Sequence, residues 1–224
     1  MAKLTWDNVG ERKFQTGVNK GVLYPYNATQ TTYAAGVAWN GLTKVTESPS
    51  GAEVTDIYAD NIKYLGLMSD EKFGGTIEAY TYPDEFAACD GSATVGGALV
   101  TQQTRKMFGF SWQTRIGNDT EGVDFGYDIH IVWSALAKPS SKDHSTINDS
   151  PEAVTMSWEI STTPVSFKGD GEFKDLKPTA HLIIPSKTVK KENLAELEKK
   201  LYGTENDPPT LLSPEEVLTI VKKP

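Results

Sequence analysis

Residues 104–137 read TRKMFGFSWQTRI (104–116), GNDTEG (117–122) and VDFGYDIHIVWSALA (123–137). Apolar and polar side chains alternate in the two outer segments. Because successive side chains of a strand point to opposite faces, this period of two predicts a β-strand in each. The middle segment consists of Gly, Asn, Asp, Thr and Glu, and most of these residue types favour turns. The stretch therefore predicts one long antiparallel hairpin, around which the rest of the chain is interpreted.

Each predicted strand of this hairpin has one apolar and one polar face. The apolar faces comprise Phe108, Phe110, Trp112 and Ile116 in the first strand, and Val123, Phe125, Tyr127, Ile129, Ile131, Trp133 and Ala135 in the second. The polar faces comprise Arg105, Gly109, Ser111, Gln113 and Arg115, and then Asp124, Gly126, Asp128, His130 and Ser134. If Gly117 pairs with Gly122, Arg115 lies opposite Asp124, and such an ion pair adds roughly 0.2–1 kcal/mol. The pattern predicts one dry and one solvated face.

The predicted strands are unusually long. Arms of about 13 residues reach roughly 43 Å at ~3.3 Å per residue, whereas ordinary strands have about 5–6 residues. A sheet that lines a wide aqueous space needs strands this long with one wet face. A long-stranded β-sandwich with an ordinary solvated face has the same pattern, so the strands alone leave both interpretations open.

Composition excludes several classes of function. The 224 residues carry a net charge of -8, which argues against binding nucleic acid through its phosphates, since that requires clustered Lys and Arg. Cys89 is the single cysteine, so no intrachain disulfide can form. No apolar run approaches the ~20 residues of a membrane-spanning helix, and the first seven residues, MAKLTWD, lack the apolar block of a signal peptide. These features predict a protein that folds in a cytosol.

The remaining pattern predicts a mainly β fold, a β-sandwich or half-barrel of long antiparallel strands. Further strands are predicted at residues 21–26, 42–47, 54–58, 62–68, 75–82, 153–163 and 179–184. A short flanking helix is predicted at 83–91, with Pro83 at its first position and Gly91 at its end. A C-terminal helical extension is predicted from leucines at helical spacing in 189–202 and from the capping box of Ser213 and Glu216. The expected division is an N-terminal arm (1–20), a β domain (21–187) and the extension (188–224).

No constellation of residues predicts catalysis. The three histidines, His130, His144 and His181, are scattered and lack the short spacing of a zinc site. Cys89 has acidic neighbours, which raise a thiol pKa and make it inert. The segment 169–172 (GDGE) is interpreted as a turn, since it lacks the ligand ladder of a calcium loop. The sequence therefore predicts a protein that is not an enzyme and has no catalytic residue, no cofactor and no metal.

Several motifs occur in a recognisable order. The segment YADNIKY (58–64) is followed by GGTIE (74–78) and YPDEF (82–86), and KPTAHL (177–182) lies near the end of the predicted body. The order and spacing of these turns, strands and caps, together with the helical ending from 197 to 220, resemble the major tail tube proteins of long, non-contractile-tailed bacteriophages. The resemblance covers most of residues 21–220.

The resemblance implies a structural virion protein. Six copies would form a ring, and rings would stack into the tail tube that delivers viral DNA to the host. Partners would be further copies of the chain, a tape-measure protein, and tail initiator and terminator proteins. DNA would pass through the lumen without specific binding, and no membrane would be involved. The protein would be assembled in the host bacterial cytoplasm and located in the virion tail.

The resemblance also assigns roles to particular residues. The residues expected to face the lumen are Glu78, Asp124, Asp128 and Glu159. The loop expected to reach the next ring comprises Glu47, Ser48, Pro49, Ser50, Gly51 and Glu53. An acidic wall would avoid binding the DNA that slides past it.

Two alternatives remain at this point. A β-sandwich that binds carbohydrate through exposed aromatic residues such as Trp39 and Tyr26 would have a similar composition. The inner tube of a phage-derived injection device would have the same architecture as a virion tail tube. An enzyme has the least support, because no acid–base or metal constellation is visible.

Overall fold

The computed structural model of the chain describes residues 3–147, 149, 152–167 and 173–223. Its strands are β1 (Lys13–Asn27), β2 (Thr32–Tyr33), β3 (Val37–Trp39), β4 (Leu42–Glu47), β5 (Val54–Ala59), β6 (Ile62–Met68), β7 (Gly74–Ala79), β8 (Ala93–Val95), β9 (Ala98–Val100), β10 (Phe108–Asn118), β11 (Gly122–Ala137), β12 (Met156–Thr162) and β13 (His181–Pro185). The helices are α1 (Lys191–Tyr202), α2 (Pro214–Val221) and a 3-10 helix at Asp84–Ala88. The fold is mainly β, as the sequence predicts. The turn expected at 169–172 lies outside the described residues.

One large antiparallel sheet organises the described part of the chain. Its strands follow the order β2-β1-β10-β11-β12-β7-β4, with β13 paired to β11 and β3 paired to β1. Strands β5 and β6 form a separate two-stranded sheet, and so do β8 and β9. The long hairpin of β10 and β11 occupies the centre of the large sheet, in agreement with the sequence analysis.

The register of the central hairpin differs from the expected one. Asn118 pairs with Gly122, and an irregularity next to the turn shifts the strands further. Arg115 consequently pairs with Tyr127 and not with Asp124, so the expected Arg115–Asp124 pair is wrong. The observed partner of Arg115 therefore lies three residues beyond the expected one, at position 127 and not at 124. A slip by an odd number exchanges the two faces of a strand.

This exchange joins the apolar face of one strand to the polar face of the other. Trp112 of β10 pairs with His130 of β11, while Gln113 pairs with Ile129. The middle of the hairpin is therefore buried on both sides, with every residue of 108–113 and 129–133 buried. The expectation that one face of the hairpin is solvated throughout is wrong for this middle part.

Two buried clusters cover the two faces of the large sheet. The inner cluster comprises Leu23, Trp39, Ile77, Ala79, Phe86, Cys89, Phe108, Phe110, Trp112, Val132, Ala135, Ala137, Trp158 and Ile160. The helix-side cluster comprises Val22, Tyr24, Ile129, Ile131, Trp133, Ile184, Leu194, Leu197, Leu201, Leu211, Val217 and Ile220. Strands β1, β3, β7, β10, β11 and β12 all contribute side chains to the inner cluster. The sheet therefore curves around this cluster, as a half-barrel does.

The C-terminal helices cover the outer side of the central hairpin. The predicted capping box is confirmed: Ser213 Oγ accepts from the backbone N–H of Glu216, and the Glu216 carboxylate accepts from the backbone N–H of Ser213. Gly203 ends α1 with a φ of 77°. Tyr24 Oη donates to the carbonyl of Leu201 over 2.7 Å. This bond and the helix-side cluster dock α1 and α2 against the sheet.

Parts of both expected appendages belong to this body. β1 begins at Lys13, inside the expected N-terminal arm, and pairs with β10 from that residue onward. The helices of the expected C-terminal extension share the helix-side cluster with β1, β11 and β13. None of the described helices is both long enough and apolar enough to cross a membrane.

Candidate functional site

Three side chains that are distant in sequence meet beside the inner cluster. Glu47 ends β4, His130 lies in the middle of β11, and His181 begins β13. The strand register places both histidines on the inner side of the sheet, because His130 pairs with Trp112 and His181 pairs with Val132. We refer to Glu47, His130 and His181 as the Glu-His-His cluster.

The donor atoms of the Glu-His-His cluster are close together. His130 Nδ1 lies 3.1 Å from Glu47 Oε1 and 3.3 Å from His181 Nε2. His181 Nε2 lies 4.0 Å from the same Glu47 oxygen. The side chain of His130 is 3% exposed and that of His181 is 11% exposed, whereas that of Glu47 is 37% exposed. The two histidines are therefore enclosed by the protein, whereas Glu47 is in contact with solvent.

Aromatic rings hold both imidazoles in place. The rings of Trp112 and His130 stack with centroids 4.7 Å apart and planes inclined by 8°. Trp112 also lies parallel to His181 at 5.7 Å, and Phe73 stacks on His181 at 4.3 Å. These contacts fix the direction in which each ring nitrogen points.

A polar chain connects His130 to β1. Thr114 Oγ1 lies 3.0 Å from His130 Nε2 and accepts a hydrogen bond of 2.8 Å from Gln15 Nε2. The same amide donates to Asp128 Oδ2 over 3.3 Å. Thus the ring nitrogen of His130 that faces away from Glu47 has a partner of its own, which can fix the tautomer of the ring.

Burial sets the charge of the cluster. Desolvation lowers the pKa of His130 to about 4, and it lowers the pKa of His181 to about 4 with a further contribution from His130. Desolvation also raises the pKa of Glu47 and that of Asp128. At neutral pH both imidazoles are neutral, so each has one ring nitrogen without a proton, and His130 Nδ1 and His181 Nε2 lie within hydrogen-bond distance of each other.

This cluster is not predicted from the sequence, where the three histidines are scattered. The structure brings two of them together and leaves His144 exposed in a loop. No short spacing links Glu47, His130 and His181, because sheet pairing alone places them side by side. The alternation pattern placed His130 in the middle of a clearly predicted strand, but it could not identify the side chains that this histidine contacts.

A second feature is the hairpin of β5 and β6, which pairs with no other strand of the described chain. Asp60 and Asn61, with φ angles of 50° and 63°, form its turn, as the sequence predicts. Every residue of β6 is exposed, and so is every residue of β5 except Ala59. The exposed large apolar side chains of the hairpin are Val54, Ile57, Tyr58, Ile62, Tyr64, Leu65, Leu67 and Met68. A projecting patch of this kind marks an interaction surface.

The structure separates the four residues expected to face a lumen. Glu78 of β7 and Glu159 of β12 lie on the side of the sheet opposite the inner cluster, where Glu78 pairs with Lys44 at 3.6 Å and Glu159 pairs with Lys138. Asp128 lies on the face that also carries His130, and Asp124 is exposed further along the same face. The four carboxylates therefore do not line one surface.

The segment expected to reach a neighbouring ring is divided as well. Ser48, Pro49, Ser50, Gly51 and Glu53 are exposed and lead into the β5–β6 hairpin. Glu47 instead turns its carboxylate toward the two histidines. The first residue of the expected loop thus belongs to the Glu-His-His cluster.

The residues proposed for carbohydrate binding do not form an exposed platform. Trp39 is 2% exposed and packs against Phe86 with ring centroids 4.6 Å apart. Its indole N–H donates to the carbonyl of Thr81. Tyr26 is half-buried and stacks edge-on with Tyr33. The expectation of an exposed Trp39 is wrong, because β3 places this side chain in the inner cluster.

The environment of Cys89 agrees with the expected inert thiol. The side chain is buried in the inner cluster, directly after the 3-10 helix that the sequence predicts as a longer helix. Burial raises the pKa of the thiol to about 12, and the charge of Asp90 adds to this while that of Lys106 opposes it. Desolvation, more than the acidic neighbours, is the main cause.

Comparisons with known proteins give a structural likeness but no family. No protein-family model matches the chain, and no curated protein matches it. Among solved structures, the chain is similar to the cryo-EM structure of an extracellular contractile injection system, the PVC sheath–tube complex in its extended state. The match has 12% sequence identity and a TM-score of 0.30, and it covers 64% of this chain and 84% of that chain. A likeness at this level assigns neither a family nor a function.

Proposed function

We propose that this chain is the subunit of a tail tube, a structural protein whose copies assemble into stacked hexameric rings around a channel for viral DNA. The observation that carries the proposal is the exposed β5–β6 hairpin. An isolated two-stranded hairpin is at best marginally stable in water, and its open edges invite pairing with another chain. A hairpin that also exposes Ile62, Leu67 and Met68 is best explained by a partner that covers it.

A second copy of this chain fits the role of that partner. The hairpin is a sheet of its own, separate from the large sheet, so a contact between the hairpin of one copy and the large sheet of the next would join two different surfaces and would be heterologous. Heterologous contacts close into rings or continue as stacks and filaments. This is the arrangement that a tube requires.

The outer face of β4, β7 and β12 is the proposed lumen wall. It carries Glu78 and Glu159 together with Thr76 and Ser157, while the apolar side chains of these strands face the inner cluster. This face is rich in hydroxyl groups, and its two carboxylates are each paired with one lysine, Lys44 or Lys138. It therefore offers phosphate groups no cluster of unpaired Lys and Arg, and the net charge of -8 agrees with this. DNA could then slide past without being retained.

The sequence motifs support the same proposal. The YADN turn, which forms the tip of the β5–β6 hairpin, and the PDEF segment, which forms the 3-10 helix, resemble the tail tube proteins of non-contractile phage tails. The proposal includes a tape-measure protein and tail initiator and terminator proteins as partners, and it assigns no catalytic residue. It extends to the inner tube of a phage-derived injection device, which would have the same architecture.

The test is assembly of the purified full-length chain. Increasing concentrations are examined by light scattering after gel filtration and by negative-stain electron microscopy. We expect hexameric rings or tubes with a central hole. Leu67→Glu places a charge on the exposed hairpin and should prevent assembly while leaving the circular dichroism spectrum unchanged.

A matched control separates the hairpin from general surface charge. Leu176 is 50% exposed and Leu67 is 56% exposed, but Leu176 lies outside the hairpin, so Leu176→Glu should assemble like the unmodified chain. If the chain remains a compact monomer at all concentrations, or if Leu67→Glu forms the same tubes as the unmodified chain, the proposal fails.

A further inference from the structure

The Glu-His-His cluster has the dimensions of a metal site. In a tetrahedral site with metal–ligand bonds of about 2.0–2.1 Å, neighbouring ligand atoms lie roughly 3.3–3.4 Å apart. In the cluster the three separations are 3.1, 3.3 and 4.0 Å. A small rotation of the half-exposed Glu47 carboxylate would bring all three donors to the required spacing. The ring nitrogens of the two buried histidines, whose side chains cannot adjust as easily, already have this spacing.

Hydrogen bonds and stacking prepare His130 and His181 for this role. When His130 Nε2 carries the proton and donates to Thr114 Oγ1, Nδ1 keeps its lone pair and faces Glu47 and His181. Metal-binding histidines commonly donate their second ring nitrogen to an oxygen in this way. Trp112 and Phe73 prevent the rings from turning.

We propose that Glu47, His130 Nδ1 and His181 Nε2 bind one divalent cation of the zinc class, with water in the fourth position. Two imidazole nitrogens and one carboxylate favour Zn²⁺, Co²⁺ or Ni²⁺ over Mg²⁺ and Ca²⁺, which prefer oxygen ligands. Solvent access on the Glu47 side gives the ion a path of entry. Three protein ligands leave one position for water, as in open zinc sites.

The cation would cross-link strands that are not adjacent in the sheet. β4 and β11 are separated by β12 and β7 in the sheet order, so no backbone ladder joins Glu47 to His130 directly. A shared metal ion would connect β4 to β11 and β13 through the interior of the half-barrel. It would also fix the start of the 48–53 loop, whether or not the chain assembles into a tube.

The experiment measures metal binding by the full-length chain. The protein is stripped with a chelator and titrated with Zn²⁺ by calorimetry, with Mg²⁺ as the comparison ion, and Co²⁺ is added to record its visible absorption. We expect one Zn²⁺ per chain, no binding of Mg²⁺ under the same conditions, and the intense Co²⁺ absorption typical of four-coordinate sites. Zn²⁺ should also raise the melting temperature.

The variants distinguish the site from other modes of binding. Glu47→Gln and His181→Gln should each lower the affinity for Zn²⁺ by more than ~100-fold, while Thr114→Val should lower it by about 10–100-fold, as expected for the loss of a group that orients a ligand. His144→Gln removes the third, exposed histidine and should have no effect. Because Glu47 is partly exposed, Glu47→Gln tests the proposal even if His181→Gln does not fold.

Two results would overturn the proposal. One is the absence of stoichiometric Zn²⁺ binding at micromolar concentration, which would mean that the cluster is a hydrogen-bonded network only. The other is binding that persists in Glu47→Gln and disappears in His144→Gln, which would place the ion elsewhere. Neither result depends on whether the chain forms tubes.

Discussion

His130 pairs with Trp112 across β10 and β11, and their rings stack almost parallel with centroids 4.7 Å apart. This relationship follows from the three-residue slip of the central hairpin. It places an apolar strand face and a histidine on the same side of the sheet, where His181 and Glu47 complete the cluster. One change of register therefore explains both the doubly buried hairpin and the Glu-His-His cluster.

Trp112→Ala should strongly destabilise the fold. The Trp112 side chain is 2% exposed and packs against Phe110, His130 and His181. Removing a buried Trp side chain lowers the free energy of unfolding by about 3–5 kcal/mol. Urea unfolding followed by circular dichroism measures the change. Trp6 is 76% exposed, so Trp6→Ala is the control and should change the value by less than ~0.5 kcal/mol.

The C-terminal helices should be required for stability. Leu197 of α1 is fully buried against the sheet, so Leu197→Ala should lower the free energy of unfolding by about 2–5 kcal/mol. Leu176→Ala, at a half-exposed leucine outside this contact, should have little effect. Equal changes in the two variants, measured in urea, would mean that α1 is an independent appendage and not part of the body.

Local patterns predicted the elements well. The strands predicted at 42–47 and 62–68 match β4 and β6 in their bounds, and period-two alternation identified the two strands of the central hairpin. The capping box of Ser213 and Glu216 identified the start of α2. These features depend on residues within a few positions of one another, which a single sequence displays directly.

The strand register and the tertiary contacts could not be predicted from the sequence pattern. The irregularity beside the turn at Asn118 and Gly122 shifts β10 against β11, and no residue type marks its position. The burial of Gln113, whose amide donates to Glu198 of α1, depends on where the chain returns 85 residues later. For the same reason the meeting of Glu47 with His130 and His181 could not be predicted, since each lies on a different strand.

Cys89 should be unreactive in the folded protein. Burial raises the pKa of its thiol from 9.0 to about 12, so the folded state disfavours the thiolate. The resulting contribution to stability is fully present below pH 9 and is lost as the pH rises toward 12. At pH 8 a disulfide reagent should react slowly with the folded chain and rapidly in urea. Rapid reaction without urea would show that the thiol is accessible and contradict its burial.

The face proposed as the lumen wall can be tested by reversing one charge. Glu159 lies on the outer face of β12 with its side chain 60% exposed, so Glu159→Lys should leave the fold intact, since loss of an exposed ion pair with Lys138 has a small effect.

In assembled tubes Glu159→Lys would place a ring of positive charge in the channel, and short double-stranded DNA should then co-sediment with the tubes in a salt-dependent manner. Asp124→Lys makes the same change of charge on the other face of the sheet and is the matched control. Nuclease treatment separates the two positions, because DNA inside the channel is protected and DNA bound outside is digested. Protected DNA in Asp124→Lys tubes but not in Glu159→Lys tubes would assign the lumen to the opposite face.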